Sequence, residues 1–303
     1  MFKTAVSSLQ SLPNAASTHT AAIVQLHTQQ ASMLVRLARY EPTIGVIKKV
    51  LALVERENGR WGNQPWWPQG IGKIHIHWGE ALWRQGEIDD AAEALQRALQ
   101  LGQEANLPLI QGLAYFQLGI TQNYQGLNEP ALTSLEKALA IWRQQDNVRQ
   151  QGFTLNSIGV VAYQSEQFHK AQDALEEALT ISQENEDRQG QSLAFNNLSL
   201  LATENRKFDA AHTYLQQSLK LARLSGDRHA EGLVYRNLGW NAKMAGELDD
   251  ASRFLALALQ LRQAIGDERG EQNVLTLLEE VKTLQKQKTA TASTTAAVWN
   301  RAS

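Results

Sequence analysis

Cysteine is absent from the 303 residues, which excludes disulfides, thiolate metal sites and cysteine nucleophiles together. An excess of positive charge is missing too. Lys plus Arg is 29 against 31 for Asp plus Glu, a net charge of −2, so a nucleic-acid partner lacks its usual electrostatic footprint. No apolar run approaches the roughly 18–20 residues that a membrane span needs. At the N-terminus, Ser7, Ser8, Gln10 and Ser11 interrupt what would be a signal-peptide core. These absences predict a cytoplasmic protein with neither nucleic acid nor membrane as partner. Signatures of catalysis are lacking as well: no P-loop, dinucleotide fingerprint, HExxH or nucleophile elbow occurs. His75 and His77 stand two residues apart, and on a helix they point in different directions. The expectation is therefore a protein that is not an enzyme, with no cofactor and no metal.

What is present is a repeat of forty residues in strict register. Gly79, Gly119, Gly159 and Gly239 form one column, with Ser199 in the gap. Ala91, Ala131, Ala171, Ala211 and Ala251 form another, and Leu95, Leu135, Leu175, Leu215 and Leu255 a third. Ala98, Ala138, Ala178, Ser218 and Ala258 follow, then Leu99, Leu139, Leu179, Leu219 and Leu259. Self-similarity at such a period signals a solenoid, in which each unit buries its apolar face against its neighbours. The small columns let a neighbouring helix approach closely, and the leucines fill the space between helices.

Each repeat reads as two helices. In the second copy, Tyr115, Leu118 and Gly119 share one helical face, Gly126 breaks the helix, and Pro130 sits in the first turn of the next. Gly86 and Gly246 break two other copies at the same place. Glu166 and Arg206 stand there in the remaining two, whose turns must form without glycine. Gly226-Asp227 and Gly266-Asp267 mark turns between repeats.

The pattern resembles the tetratricopeptide repeat family, in a branch with a longer repeat than the common one of roughly 34 residues. In the fifth copy the matching residues are Tyr235, Leu238, Gly239, Ala251, Leu255 and Ala258. The closing proline of the family is replaced by Gln103, Arg143, Gln183, Arg223 and Gln263. The resemblance implies an all-α fold, a right-handed α-solenoid of five helix-turn-helix repeats with capping helices at both ends. We place the repeats at 71–111, 112–151, 152–191, 192–231 and 232–270. A flexible N-terminus over 1–17 and a helix pair with a Trp-rich loop over 18–70 precede them. A capping helix over 271–286 and a disordered tail over 287–303 follow.

In this family the first helix of each repeat lines a concave groove where partners lie as extended peptides. Carried over by position, the groove residues are Phe116, Asn156, Tyr163, Leu193, Asn196, Asn197, Leu233, Arg236, Asn237 and Trp240. A ladder of Asn could pair with a peptide backbone, since a carboxamide both donates and accepts, and Arg236 could grip a carboxylate. The competing reading is that these residues are solvated, or that the Asn side chains bond between adjacent helices. A two-carboxylate clamp of the kind some of these domains use is not expected, because only its Asn component survives here. Trp61, Trp66 and Trp67 offer a second candidate surface, or else a packed loop sealing the N-terminal helices. The expected function is a non-enzymatic adaptor or assembly scaffold for a protein or peptide segment. The alternative is a peptide-sensing regulator similar to the quorum-sensing peptide receptors, although residues 1–70 show no clear DNA-reading helix-turn-helix.

Overall fold

Apolar residues spaced three and four apart fold here into helices. The computed structural model describes residues 16–36, 40–61, 64 and 66–302, and among them thirteen α-helices and no strand occur. The helices are α1 (Ala16–Arg36), α2 (Tyr40–Trp61), α3 (Trp66–Gln85), α4 (Ile88–Glu104), α5 (Pro108–Tyr124), α6 (Asn128–Gln144) and α7 (Val148–Gln164). Then come α8 (Phe168–Glu184), α9 (Arg188–Glu204), α10 (Phe208–Ser225), α11 (Arg228–Ala245), α12 (Leu248–Ile265) and α13 (Glu268–Ala302). No described helix is long and apolar enough to cross a membrane.

What stops each helix from α3 to α12 is a single residue in the left-handed region. Positive φ falls at residues 86, 106, 126, 146, 166, 186, 206, 226, 246 and 266, twenty apart throughout. Five are glycines, for which this conformation is free of steric penalty. The others are Asn106, Asp146, Glu166, Glu186 and Arg206, with φ between 49° and 58°, and there the Cβ is strained. The turns expected to form without glycine, at Glu166 and Arg206, thus use the same backbone as their glycine counterparts. Schellman-type bonds close them, such as Leu107 N–H to Gly102 O at 2.8 Å and Lys207 N–H to Ala202 O at 2.8 Å.

Side chains then join one repeat to the next. Gln111, Gln151 and Gln191 each donate to the carbonyl nine residues earlier, at Gly102, Trp142 and Ser182, over 2.9 to 3.2 Å. In the following copies Glu231 takes the same place and pairs with Arg223 at 2.9 Å, and Glu271 accepts from Gln263 at 2.9 Å. Asn147, Asp187, Asp227 and Asp267 cap the first helices of successive repeats by accepting N–H groups of the opening turn.

The packing is that of stacked helix pairs. The chain divides into two compact units, one ending at Ser165 and one beginning at Glu166, so the boundary falls at the turn inside the third repeat. In the first unit each helix packs on the next in sequence, and α3 also touches α5, as α5 does α7. In the second unit the same holds from α8 to α13, with α9 against α11 and α11 against α13. A Cβ on Gly79, Gly119 or Gly239 would come within 2.5 to 2.6 Å of Cγ of Leu95, Leu135 or Leu255. The glycine column is therefore the hole that receives the leucine column, and the alanine column beside it is fully buried.

Two flanking expectations need correction. The Trp-rich stretch is mostly helical: α2 runs through Asn58-Gly59 to Trp61, and α3 opens at Trp66. Trp67 is buried with Val24, Ile47, Val50, Ile71 and Ile74, and Trp66 packs against that cluster, edge-on to Trp67 at 5.4 Å. These two tryptophans seal the N-terminal helices onto α3 because their large apolar rings gain more from burial than from exposure. The side chain of Trp61 and residues 1–15 lie outside the described residues. At the other end, α13 extends over Glu268–Ala302, past the capping segment 271–286 and through the stretch expected to be disordered. No Gly or Pro follows Gly270, so nothing in the sequence breaks the helix. Val274 and Val281 bury its inner face. Glu279 occupies the glycine column, so a charged side chain stands where a further helix would need a hole.

Candidate functional site

The predicted groove residues divide by chemistry. Phe116 on α5 and Tyr163 on α7 are half-buried, as are Leu193 on α9 and Leu233 and Trp240 on α11. These apolar side chains keep part of their surface available. The asparagines do not. Asn156, Asn196, Asn197 and Asn237 are all buried, and their groups are spent within the protein. In the first unit, Asn156 Nδ2 donates to Gly152 O at 3.1 Å.

In the second unit the asparagines form a directed chain. Arg236 Nη1 donates to Asn237 Oδ1 at 2.8 Å, Asn237 Nδ2 to Asn196 Oδ1 at 2.9 Å, and Asn196 Nδ2 to Asn197 Oδ1 at 3.3 Å. A guanidinium has no acceptor, so its contact fixes which way Asn237 faces, and each amide then orients the next. This is the helix-to-helix reading of the ladder, and it corrects the expectation of a ladder open to a peptide backbone. The physical reason is proximity. Because α9 and α11 pack side by side, the amides sit closer to each other than to solvent, and a buried amide left unpaired is costly.

Further polar groups extend this floor, Thr203 among them in the same periodic row as Tyr163. Thr203 Oγ1 donates to Asn241 Oδ1 at 2.9 Å, and Asn241 Nδ2 to Phe208 O at 3.1 Å. Ser199 Oγ donates to Asn196 O at 2.6 Å. Lys243, in the same row as the predicted residues, forms an ion pair with Glu280 of α13.

Arg236 is the electrostatic outlier. Its pKa is lowered, first by burial and then by the like charge of Arg262. Arg262, on α12, is itself buried and forms an ion pair with Asp267, which His229 approaches at 3.6 Å. Burial works to raise the Asp267 carboxyl, but the Gly270 N–H and Arg262 outweigh it and hold the carboxyl below its usual value. Arg262 lies in a column occupied by Gly102, Trp142, Ser182 and Ala222. No recurring residue type marked that position, so sequence periodicity offered no signal for it.

His75 lines a shallow cavity with Trp78, Asp90, Glu93 and Arg97 in the first unit. Burial first, then Arg97, pushes its pKa down to about 4. It occupies the column of Tyr115 and Tyr235 and is half-buried there.

Paired helices stacked in register, with a row of half-buried side chains along the first helix of each pair, define a helical repeat protein. The family model described as tetratricopeptide repeat matches residues 70–144, 109–184, 150–223 and 191–264. The chain belongs to the tetratricopeptide repeat family. Among curated proteins none matches the sequence. Among solved structures, BtubC from P. vanneervenii is similar at TM-score 0.59 and 20% identity, over 75% of this chain and 92% of that one. A Rap protein complexed with competence and sporulation factor is similar at TM-score 0.65 and 14% identity, over 90% and 74%. The Rap conjugation gene regulator of plasmid pLS20, in complex with the Phr* peptide, is similar at TM-score 0.64 and 17% identity, over 88% and 68%. At these identities the likeness is one of fold.

Proposed function

We propose that this protein is a non-enzymatic binding module, an adaptor or assembly scaffold that holds a segment of another protein along the first helices of its repeats. The observation that carries the reading is the row Leu193, Leu233 and Trp240 in the second unit. These are large apolar side chains left half-buried beside a polar floor whose groups are already paired. Such a floor holds its shape while the apolar row supplies area for a partner to cover. A second reading, a sensor of a short peptide, is supported by the fold shared with Rap proteins complexed with competence and sporulation factor and with Phr*.

The test is capture from native lysate, with the wild type beside a Leu193→Ala, Leu233→Ala, Trp240→Ala variant. Circular dichroism and a thermal melt first establish that the variant folds. A protein retained by the wild type and lost with the variant supports the scaffold. A small peptide bound at stoichiometric amount favours the sensor. Equal retention by both chains would move the binding surface away from this row.

A further inference from the structure

We infer that the cavity beside His75 in the first repeat binds an aromatic ring carried one or two carbons from an ammonium group. The source is either a free arylalkylamine or the aromatic first residue of a peptide. The cavity measures about 710 Å³, within the roughly 300–1,000 Å³ of small-molecule sites. Its walls come from α3 and α4. The α3 residues, His75 and Trp78, stand in the columns of Tyr115 and Leu118, apart from the row of Phe116 that was assigned to the groove. The second repeat shows what the first one lacks. There Lys137 Nζ lies 5.4 Å from the centre of the Tyr115 ring. Forty residues earlier the same columns hold Arg97 and His75, and both line the cavity. An imidazole is shorter than a phenol. Arg97 Nη1 donates to Gln100 Oε1 at 2.8 Å, and the flat guanidinium covers no ring among the described residues. A ring brought from outside would take the place that the phenol fills in the second repeat.

Trp78 supplies a second surface for that ring. It is half-buried and its Nε1 is fully enclosed, so the part of the indole left open is carbon, suited to stacking and not to donating. Its ring lies 5.8 Å from that of His75, tilted by 38°. Charge sets the other end of the ligand. Asp90 and Glu93 line the same cavity, three residues apart on one face of α4, and neither forms an ion pair among the described residues. Against these two carboxylates stands the single cation Arg97. His75 adds no positive charge at neutral pH, because burial and Arg97 push its pKa down to about 4. The balance favours a cation. Arg97 follows Glu93 by one helical turn, about 6 Å along the axis, which suits the spacing of ring and ammonium in an arylethylamine. Both carboxylates are exposed, so each contributes modestly, and recognition needs the ring and the charge together.

The test titrates the full chain with phenethylamine, N-acetylphenethylamine, cyclohexylethylamine and phenylpropionate, and with Phe-Gly-Gly amide made with a free or an acetylated N-terminus. Binding is read by isothermal titration calorimetry. Two variants accompany the wild type, after circular dichroism and a thermal melt establish that each folds. Asp90→Asn with Glu93→Gln removes the negative charge. His75→Tyr restores the ring found in the second repeat and fills the cavity. Wild type is expected to bind phenethylamine about tenfold more tightly than its acetylated form, and about threefold more tightly than cyclohexylethylamine. The carboxylate variant should lose the first preference, and His75→Tyr should lose binding altogether. Tighter binding of phenethylamine than of the free-N-terminus peptide assigns a small amine as the source, and the reverse order assigns a chain start. A preference for phenylpropionate would overturn the inference. So would undiminished binding to His75→Tyr, or binding of none of the probes.

Discussion

The second and fourth repeats occupy the same columns with opposite chemistry. In the second, Gly112 and Gly119 are holes filled by Trp142 and Leu135; a Cβ on Gly112 would meet the Trp142 ring at 2.5 Å. In the fourth, serine stands at three small positions, Ser192, Ser199 and Ser218. Ser218 Oγ donates to Ser192 O at 2.7 Å, and Ser192 Oγ lies 3.0 Å from both Ser218 O and Ser218 Oγ. One repeat is held by apolar contact, which is strong and tolerant of small shifts. The other adds to its apolar core buried hydrogen bonds, which contribute less energy but demand particular geometry. The polar repeat is the one that adjoins Arg236 and the amide chain. Close apolar fit and directed hydrogen bonding are thus emphasised in different copies of one motif.

The comparison can be broken most forcefully at Trp142, which is fully buried. Trp142→Ala should cost about 3–5 kcal/mol, read as a lower urea midpoint of the first unit. A cost below 1 kcal/mol would mean that this repeat does not depend on the ring.

His75 sharpens the contrast from another side, as an imidazole in a column otherwise filled by Tyr115, Leu155, Phe195 and Tyr235. The unfolded chain takes up the proton near pH 6.5, the folded one only near about 4. Stability is therefore lost as pH falls from about 6.5 to about 4 and is level below that, by up to about 3 kcal/mol. Replacing His75 with Phe should remove this share of the slope in urea midpoints taken across that range. An unchanged slope would show that the imidazole protonates freely in the folded protein.

The smallest effect is expected in the polar floor. Asn237→Ala should cost about 1–3 kcal/mol, since it strands Asn196 Oδ1 in the interior. Combining it with Asn196→Ala should cost less than the sum of the two single changes. Strict additivity in that double-mutant cycle would mean the 2.9 Å bond between them carries no coupling.

Much of the fold was legible because packing repeats with the sequence. The Gly79, Ala91 and Leu95 columns identify a hole, a close approach and a knob before any coordinate is known. The twenty-residue spacing of the turns was half hidden, since only five of the ten left-handed positions are glycine. Periodicity also places the proposed site residues on the first helices of the repeats, yet how far each is buried was not legible. Periodicity places Asn196 and Asn237 on one face, but the distance between α9 and α11 decides whether they meet each other or a ligand. Arg262 could not have been found by columns at all, as no two copies share a residue type there.

From α4 to α12 each helix with its turn spans twenty residues, and that constancy works like a reading frame. Deleting one residue within a helix rotates everything beyond it by about 100°. Glycine holes downstream would then no longer face their leucines, and the frame would be lost for the rest of that helix. A change of length can be absorbed only at the left-handed turns, or by whole helix pairs. Insertions and deletions should therefore be tolerated at the turns or as whole forty-residue pairs, and not inside a helix.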